Sequence, residues 1–323
     1  MKLSPELLTS DFLSMSARLG NDPLQVQGPG GNTSIKDQKI MWIKASGTEL
    51  ANAETENIFV AVDRIAANDQ ANGYGDGTCK DTVIDPAIKL RPSIETTFHA
   101  ALNHKVVVHT HSISTLTHVI SYEGRDIAKN KLKDMPFIMA PYAKPGVPLT
   151  NEILARVNDD TKIILLQNHG LICCGETVEE VSNLIKEVET RLYLPPKNIS
   201  HTPPKKIIDK AYSWTSESWM AQDKIINSYI TSGSFYPDHV VFLGSGLPVS
   251  DANGKAPVVL HEGEGVSVRS DATSSQKAML RCLSDIMCRL PKSWKPETIG
   301  VNAEAELLNW DAEKYRQKLA TIK

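Results

Sequence analysis

The sequence has few cysteines and none of the spacings that would give them a structural role. Its five, Cys79, Cys173, Cys174, Cys282 and Cys288, are odd in number and contain no CxxC pair. That leaves neither a disulfide framework nor a thiolate zinc site, and it fits a reducing compartment. Long apolar runs are missing too. No stretch approaches the length that crosses a bilayer, and the opening MKLSPELLTSDFLSMSARLG has no uninterrupted apolar segment of the signal-peptide kind. Charge of one sign is equally scarce: 35 Lys+Arg stand against 38 Asp+Glu, and no basic run is dense enough to track a phosphate backbone. Neither GxxxxGK[ST] nor GxGxxG occurs, so no nucleotide fold is supported. These absences point to a cytoplasmic protein that engages neither nucleic acid nor membrane.

With 323 residues the chain can bury a core unaided, as one large domain or two modest ones. Ser4-Pro5-Glu6 reads as a helix N-terminus, with Leu8, Phe12, Met15 and Leu19 on one face and Gly20 as the stop. KIMWIKA and IFVAV read as strands, and residues 67 to 85 as a polar, glycine-rich excursion. IETTFHAALNH reads as a helix capped by Ser93 that leads into the strand KVVVHTH. TKIILLQNHGLICCGET reads as two short buried strands around a tight His-Gly turn. A helix from Thr177 follows, its apolar face formed by Val178, Val181, Ile185, Val188 and Leu192. Strands and helices alternating in this way predict an α/β layered domain over residues 1–195. The prolines of LPPKNISHTPPKK mark 196–206 as a semi-rigid linker. Residues 207–323 read as a C-terminal α+β extension ending in a charged amphipathic helix, NAEAELLNWDAEKYRQKL. Within it VVLHEGEGVSVRSDAT weakly echoes residues 163–178, with Gly265 falling on Gly170 and Glu264 on His169, a strand-turn-strand-helix that has lost its histidine.

Side chains two apart in a strand share a face, so His109 and His111 can present both imidazoles to one ion. An isolated HxH is also often an incidental pair near a core. A third ligand has to come from elsewhere, and His169, in the turn QNHGL after an apolar strand, is a candidate. Three imidazoles leave a coordination position open, as catalytic rather than structural sites do. Glu95 begins the helix that leads into the HxH strand; it is either an ordinary first-turn carboxylate or a proton-transfer base beside the metal. GPGGNTS and ASGTE are simple turns or turns whose backbone N–H groups hold an anion. His99 and His261 carry no usable signal.

Taken in order, GGNTSIK, KASGTEL, RPSIETTFHAAL, VVVHTHSIST, APYAKPGVPLT and LLQNHGLICCGET resemble the class II aldolase/adducin family over roughly residues 5 to 195. Beyond the linker, PDHVV, VVLHEGEGV and NWDAEKYR resemble its longer branch, which includes the aldolase half of bifunctional rhamnulose-phosphate aldolase/alcohol dehydrogenases. The resemblance implies a three-layer α/β/α fold with a mostly antiparallel central sheet. It also implies a divalent metal, usually Zn2+ with Mn2+, Co2+ or Ni2+ as alternatives, and a homo-oligomer, often a tetramer. Motif by motif, it makes His109, His111 and His169 the metal ligands, Glu95 the acid/base carboxylate, and Asn32, Ser46, Gly47 and Ser93 the phosphate-binding residues. The implied reaction is cleavage of a carbon–carbon bond in a ketose or ketose phosphate through a metal-stabilised enediolate, with Glu95 moving the proton.

Two departures from the family pattern matter. The phosphate-binding fuculose and rhamnulose enzymes commonly carry a second small hydroxyl residue before the acid, where this chain has Ile94. The glycine-rich stretch and tyrosine of the fuculose pattern are missing between Asp126 and Met139, so protonation of the leaving group is unassigned. Family decarboxylases of sugar acids share the ligands and the glutamate and stay open as an alternative. The 4-epimerases normally have Asp at the position of Glu95, and adducin-like binding modules lack the histidines that are all present here. Metal-dependent hydrolases with an HxH strand need further His/Asp ligands that cannot be assembled from this sequence.

Overall fold

Alternation within one β-branched segment sets the layers of the fold. Val106 and Val108 enter one apolar cluster while Val107 enters another, because successive residues of a strand face opposite sides of a sheet. A computed structural model describes residues 3–200, 202–206, 208–250 and 256–321. Its strands β1 (Asn32–Lys36), β2 (Ile40–Lys44), β3 (Phe59–Asp63), β4 (Val106–Thr110), β5 (Phe137–Ala140), β6 (Ile163–Leu166) and β7 (Gly170–Gly175) form one sheet in the order β3-β2-β1-β4-β7-β6-β5. Every neighbouring pair is antiparallel except β5 with β6. The helices of this part are α1 (Ser10–Asn21), α2 (Arg64–Ala71), α3 (Thr96–Ala101), α4 (Ile113–Val119), α5 (Tyr122–Lys131), α6 (Val147–Leu154) and α7 (Val178–Leu192). On one face Phe12 and Met15 of α1 and Val181 and Val188 of α7 pack against Val106, Val108 and Leu165. On the other, Phe98 of α3 and Leu149 and Ile153 of α6 cover Val107, Ile164 and Ile172. This is the expected three-layer α/β/α fold with a mostly antiparallel central sheet.

The N-terminal helix differs from expectation. Pro5–Leu7 is a separate 3-10 turn, and α1 starts only at Ser10. The Trp42 indole N–H donates to the Ser4 carbonyl at 2.9 Å and fastens that turn to the sheet, while Thr9 is extended. Gly20 is not a stop either; it lies inside α1. A Cβ there would sit 2.1 Å from Ala51 N, so the residue is glycine because another backbone passes against the helix.

Beyond α7 come β8 (Tyr212–Trp214), α8 (Trp219–Gln222), α9 (Lys224–Thr231), α10 (Pro237–Leu243), β9 (Val258–His261), β10 (Gly265–Arg269), α11 (Ser274–Arg289), α12 (Val301–Asn309) and α13 (Asp311–Ala320). The single tail helix expected from the sequence is therefore two, broken at Trp310. That residue is extended, with its ring facing the Lys144 ammonium at 4.6 Å. Strands β8, β10 and β9 form a small antiparallel sheet. The run β9, turn, β10, α11 has the same order as β6, turn, β7, α7, and Gly265 and Gly170 each open the second strand. One apolar cluster joins Ile113, Leu116 and Ile120 with Phe235, Val240, Leu260, Met279 and Leu283, so α4 is a wall shared by both parts of the chain. No helix among the described residues is long and apolar enough to cross a membrane.

Substituting Gly20→Ala forces the Leu50–Ala51 backbone away from α1. Overpacking of this kind costs about 1–3 kcal/mol. A urea midpoint lowered accordingly, with an unchanged slope, is the expected result.

Candidate metal centre

The strand β4 and its extension place residues 107, 109 and 111 on the α3 side of the sheet. The His109 ring is fixed by its Nδ1–H, which donates to the Leu171 carbonyl at 3.0 Å. That tautomer leaves Nε2 with a free lone pair. His169 arrives from the β6–β7 turn, where Asn168 adopts φ +53° and donates from Nδ2 to the Phe235 and Glu297 carbonyls at 3.0 and 2.7 Å. A Cβ on Gly170 would lie 2.4 Å from the Thr110 carbonyl oxygen and 3.2 Å from His109 Cε1, so the glycine after His169 allows the turn to close onto β4.

Ligand atoms of His109, His111 and His169 all lie within 4.8 Å of one another. His109 Nε2, His111 Nδ1 and His169 Nδ1 are buried without a hydrogen-bond partner, as is Glu95 Oε1. Buried polar atoms are rarely left unpaired. Four such atoms in one buried cluster, three of them imidazole nitrogens, form a donor set that suits a divalent metal. Burial pushes the His111 and His169 rings down to about 3, against the opposing pull of Asp238 and Glu95. Both are therefore neutral at pH 7, the form that ligates.

Glu95 precedes the first turn of α3, which starts at Thr96 rather than at Ile94 behind a Ser93 cap. Its carboxylate does not cap the helix. Oε2 lies 3.6 Å from His109 Nε2 and Oε1 lies 3.4 Å from His169 Nε2. Burial works to raise the Glu95 carboxyl, but His109, His169 and the Asn32 amide outweigh it and hold it below its usual range. Asn32 Nδ2 donates to Glu95 Oε2 at 2.7 Å and to Ser93 Oγ at 3.2 Å. The Asn32 carbonyl can only accept, so His99 Nε2, 2.5 Å away, carries the proton. His99 Nδ1 then accepts from the Ser34 hydroxyl at 2.7 Å. His99, which showed no signal in the sequence, thus sets the orientation of the amide that holds Glu95.

The C-terminal extension supplies the other missed residues. Asp238, in the first turn of α10, places Oδ2 3.4 Å from His111 Nδ1. Arg316 of α13 grips both Asp238 oxygens, at 2.8 and 3.1 Å, and also binds Glu313. Burial would raise Asp238, yet Arg316 and His111 bring it down to about 2. Burial raises Glu313 to about 7, with Arg316 opposing. A Cβ on Gly30 would come within 2.8 Å of His111 Nδ1 and 3.0 Å of Asp238 Oδ2, so the GPGG turn needs glycine to approach this pair. Lys44, buried beneath, donates to the Pro29 and Gly31 carbonyls at 2.8 and 2.9 Å and fixes that turn.

All the residues nominated from the sequence except His109 line one small cavity: Asn32, Ser46, Gly47, Ser93, Glu95, His111 and His169. The four phosphate candidates are not equivalent there. Asn32 holds Glu95, and Ser93 Oγ accepts the Glu95 N–H at 3.2 Å. Gly47, with φ +77°, lies under α13, and a Cβ on it would sit 2.4 Å from Leu319 Cδ1. Asp238 lies in PDHVV and Glu313 and Arg316 in NWDAEKYR, segments that carried the resemblance to the longer branch, but nothing in the sequence gave these residues a role at the site.

Two predictions follow from this geometry. Groups that orient a ligating histidine change metal affinity about 10–100-fold when altered, so Asp238→Asn is expected to weaken metal retention on that scale in chelator competition. Glu313 keeps its proton to about pH 7 in the folded chain, whereas an unfolded glutamate loses it near about 4.3. Between those values the unfolded state binds fewer protons, so stability contributed at this position falls as pH rises through the window. Glu313→Gln flattens that part of the slope, as read from denaturant midpoints between pH 4.5 and 7.

Comparison with known proteins agrees with the geometry. The model of the Class II Aldolase and Adducin N-terminal domain matches residues 12–194. The uncharacterised oxidoreductase YuxG of Bacillus subtilis is 30% identical over 198 residues, 55% of this chain and 29% of that protein, so the match takes in less than a third of its length. The L-fuculose phosphate aldolase of Haemophilus influenzae is 31% identical over 173 residues, 50% of this chain and 70% of the aldolase. The N-terminal class II aldolase domain of a conserved protein from Thermoplasma acidophilum superposes with a TM-score of 0.51 at 25% identity, covering 59% of this chain and 94% of that domain. With a family match over more than half its length, the chain belongs to the class II aldolase and adducin family.

Proposed function

We propose that the protein is a divalent-metal-dependent aldolase that cleaves a carbon–carbon bond in a ketose or ketose phosphate. The observation that carries this reading is a buried, ionised carboxylate, Glu95, set 3.4 to 3.6 Å from two members of a buried histidine triad. His109, His111 and His169 are the residues that hold the metal. A divalent cation bound there supplies a Lewis acid for the substrate carbonyl and for the negative charge left by cleavage. The relative from Haemophilus influenzae, named for its action on L-fuculose phosphate, supports the substrate class.

The chain's own contribution is proton transfer under control. The two Glu95 oxygens have different duties: Oε2 is tied to the Asn32 amide, while Oε1 has no hydrogen-bond partner. Oε1 is therefore the atom that accepts the substrate hydroxyl proton and later returns it to carbon. The bond from Asn32, itself held by His99, keeps the carboxylate from turning as its charge changes. Burial of Glu95, at 4% exposed, excludes the water that would otherwise compete for the proton.

Metal-loaded protein incubated with a panel of ketoses, ketose phosphates and sugar acids is expected to yield a trapped aldehyde and a ketone fragment. Release of CO2 from a sugar acid without any aldehyde would replace cleavage by decarboxylation. Glu95→Gln is expected to retain the metal and to lose turnover by at least about 10²-fold, the scale of a lost acid/base group. His111→Ala is expected to lose both metal and activity, measured by metal analysis after gel filtration.

A further inference from the structure

The cavity at the metal centre is cramped, and the turns that the sequence nominated for phosphate are largely occupied. Asn32 and Ser93 are engaged with Glu95, and Gly47 lies under Leu319. A second space lies beside it. Ser46, Ile94 and Pro145 belong to the walls of the metal-centre cavity and also to those of a second chamber of about 630 Å³. That is within the size range of small-molecule sites. Ile94, the position where the family pattern has a hydroxyl, is the lip between the two. The chamber is lined by Arg91 and Lys144 together with Trp310, which precedes α13, and Tyr315 within it.

The two cations are held by ring faces. The Arg91 guanidinium lies 3.9 Å from the Tyr315 centroid and the Lys144 ammonium 4.6 Å from that of Trp310. Such contacts are weak at accessible sites and leave the N–H donors free. Neither side chain forms an ion pair or donates a hydrogen bond among the described residues, and Lys80 adds a third cation to the lining. Three carboxylates also reach the chamber. Asp76 is engaged by the Thr78 N–H and hydroxyl at 2.8 and 2.7 Å, Asp311 lies 3.8 Å from Lys314, and Glu306 is exposed on α12. Among the described residues Arg91, Lys144 and Lys80 form no ion pair, nor does Glu306, and of these only Arg91 and Lys144 are held against aromatic rings.

We propose that this chamber binds the terminal phosphate of the substrate, with Arg91 and Lys144 as its ligands and Tyr315 and Trp310 holding those two side chains in place. A guanidinium offers two parallel N–H donors to a phosphate and an ammonium adds a point charge, the pairing that phosphate recognition uses. The sugar chain then runs from the histidines past Ile94 into the chamber. The substrate assignment rests on the aldolase reading above, whereas the anion site itself does not.

The test is therefore binding of inorganic phosphate to the metal-loaded full chain at low ionic strength, followed by titration calorimetry, which needs no turnover. Wild-type protein is expected to bind phosphate, and Arg91→Ala and Lys144→Ala are each expected to weaken it about tenfold or more with metal content unchanged. Arg91→Gln, which keeps most of the side-chain volume, gives the same loss if the effect is one of charge. Absence of phosphate binding overturns the proposal, as does a preference for acetate over phosphate. So does the converse pattern, in which Ser93→Ala weakens binding and the Arg91 and Lys144 variants do not. If the protein binds phosphate through Arg91 and Lys144 yet cleaves no ketose phosphate, the chamber stands and the aldolase reading falls.

Discussion

The antiparallel pairing of β4 with β7 is the constraint on which the rest depends. Its register sets His109 opposite Ile172 and Thr110 opposite Leu171, and Gly170 permits the close approach at the end of the ladder. Strand side chains alternate, so a slip of one residue would turn His109 to the opposite face and away from Glu95. The same pairing sends Val106 and Val108 into one apolar cluster and Val107 into the other. Burial of those valines therefore fixes where the histidine points.

Around that constraint the site is held by two polar chains that meet at the metal centre. One runs from Ser34 through His99 and Asn32 to Glu95. The other runs from Arg316 through Asp238 to His111. Both are buried, and a buried charge is costly unless paired. Arg316 meets that condition with two hydrogen bonds to Asp238, and Asp238 in turn faces His111. Glu313 sits on the same guanidinium, but Asp238 has the stronger claim on it; the result is one carboxylate held to about 2 and another raised to about 7.

How much of this was legible in the sequence depends on how far apart the partners are. The HxH spacing, the apolar strands and the His-Gly turn are local patterns; they nominated the three histidines and predicted the layered fold, whereas the ligand assignment and the acid/base role of Glu95 came from the family resemblance. His99 was invisible because it sits in α3 while its partners Asn32 and Ser34 lie on β1, more than sixty positions away. Asp238 and Arg316 are separated by 78 positions, and although the resemblance took in both of their segments, no local pattern pairs them. Misread boundaries have the same cause: Trp42 fastens the first turn, and Trp310, facing Lys144, marks the break in the tail. Helical periodicity does not record a ring or a carbonyl that arrives from elsewhere.

The C-terminal extension is thereby part of the site rather than an appendage to it. Successive residues of α13 face different spaces: Glu313 and Arg316 line the metal-centre cavity, Tyr315 lines the adjoining chamber, and Leu319 covers Gly47. Undocking this helix would expose the Gly47 turn and leave Asp238 buried beside His111 without its counter-charge. The electrostatic cost of that unpaired carboxylate ties docking of the tail to the integrity of the histidine cluster. Asn168 adds a second tie, joining the turn that carries His169 to Phe235 and Glu297. Two of the three histidines are thus positioned with help from residues beyond the family-matched segment 12–194, so the site is assembled only when both parts of the chain are folded together.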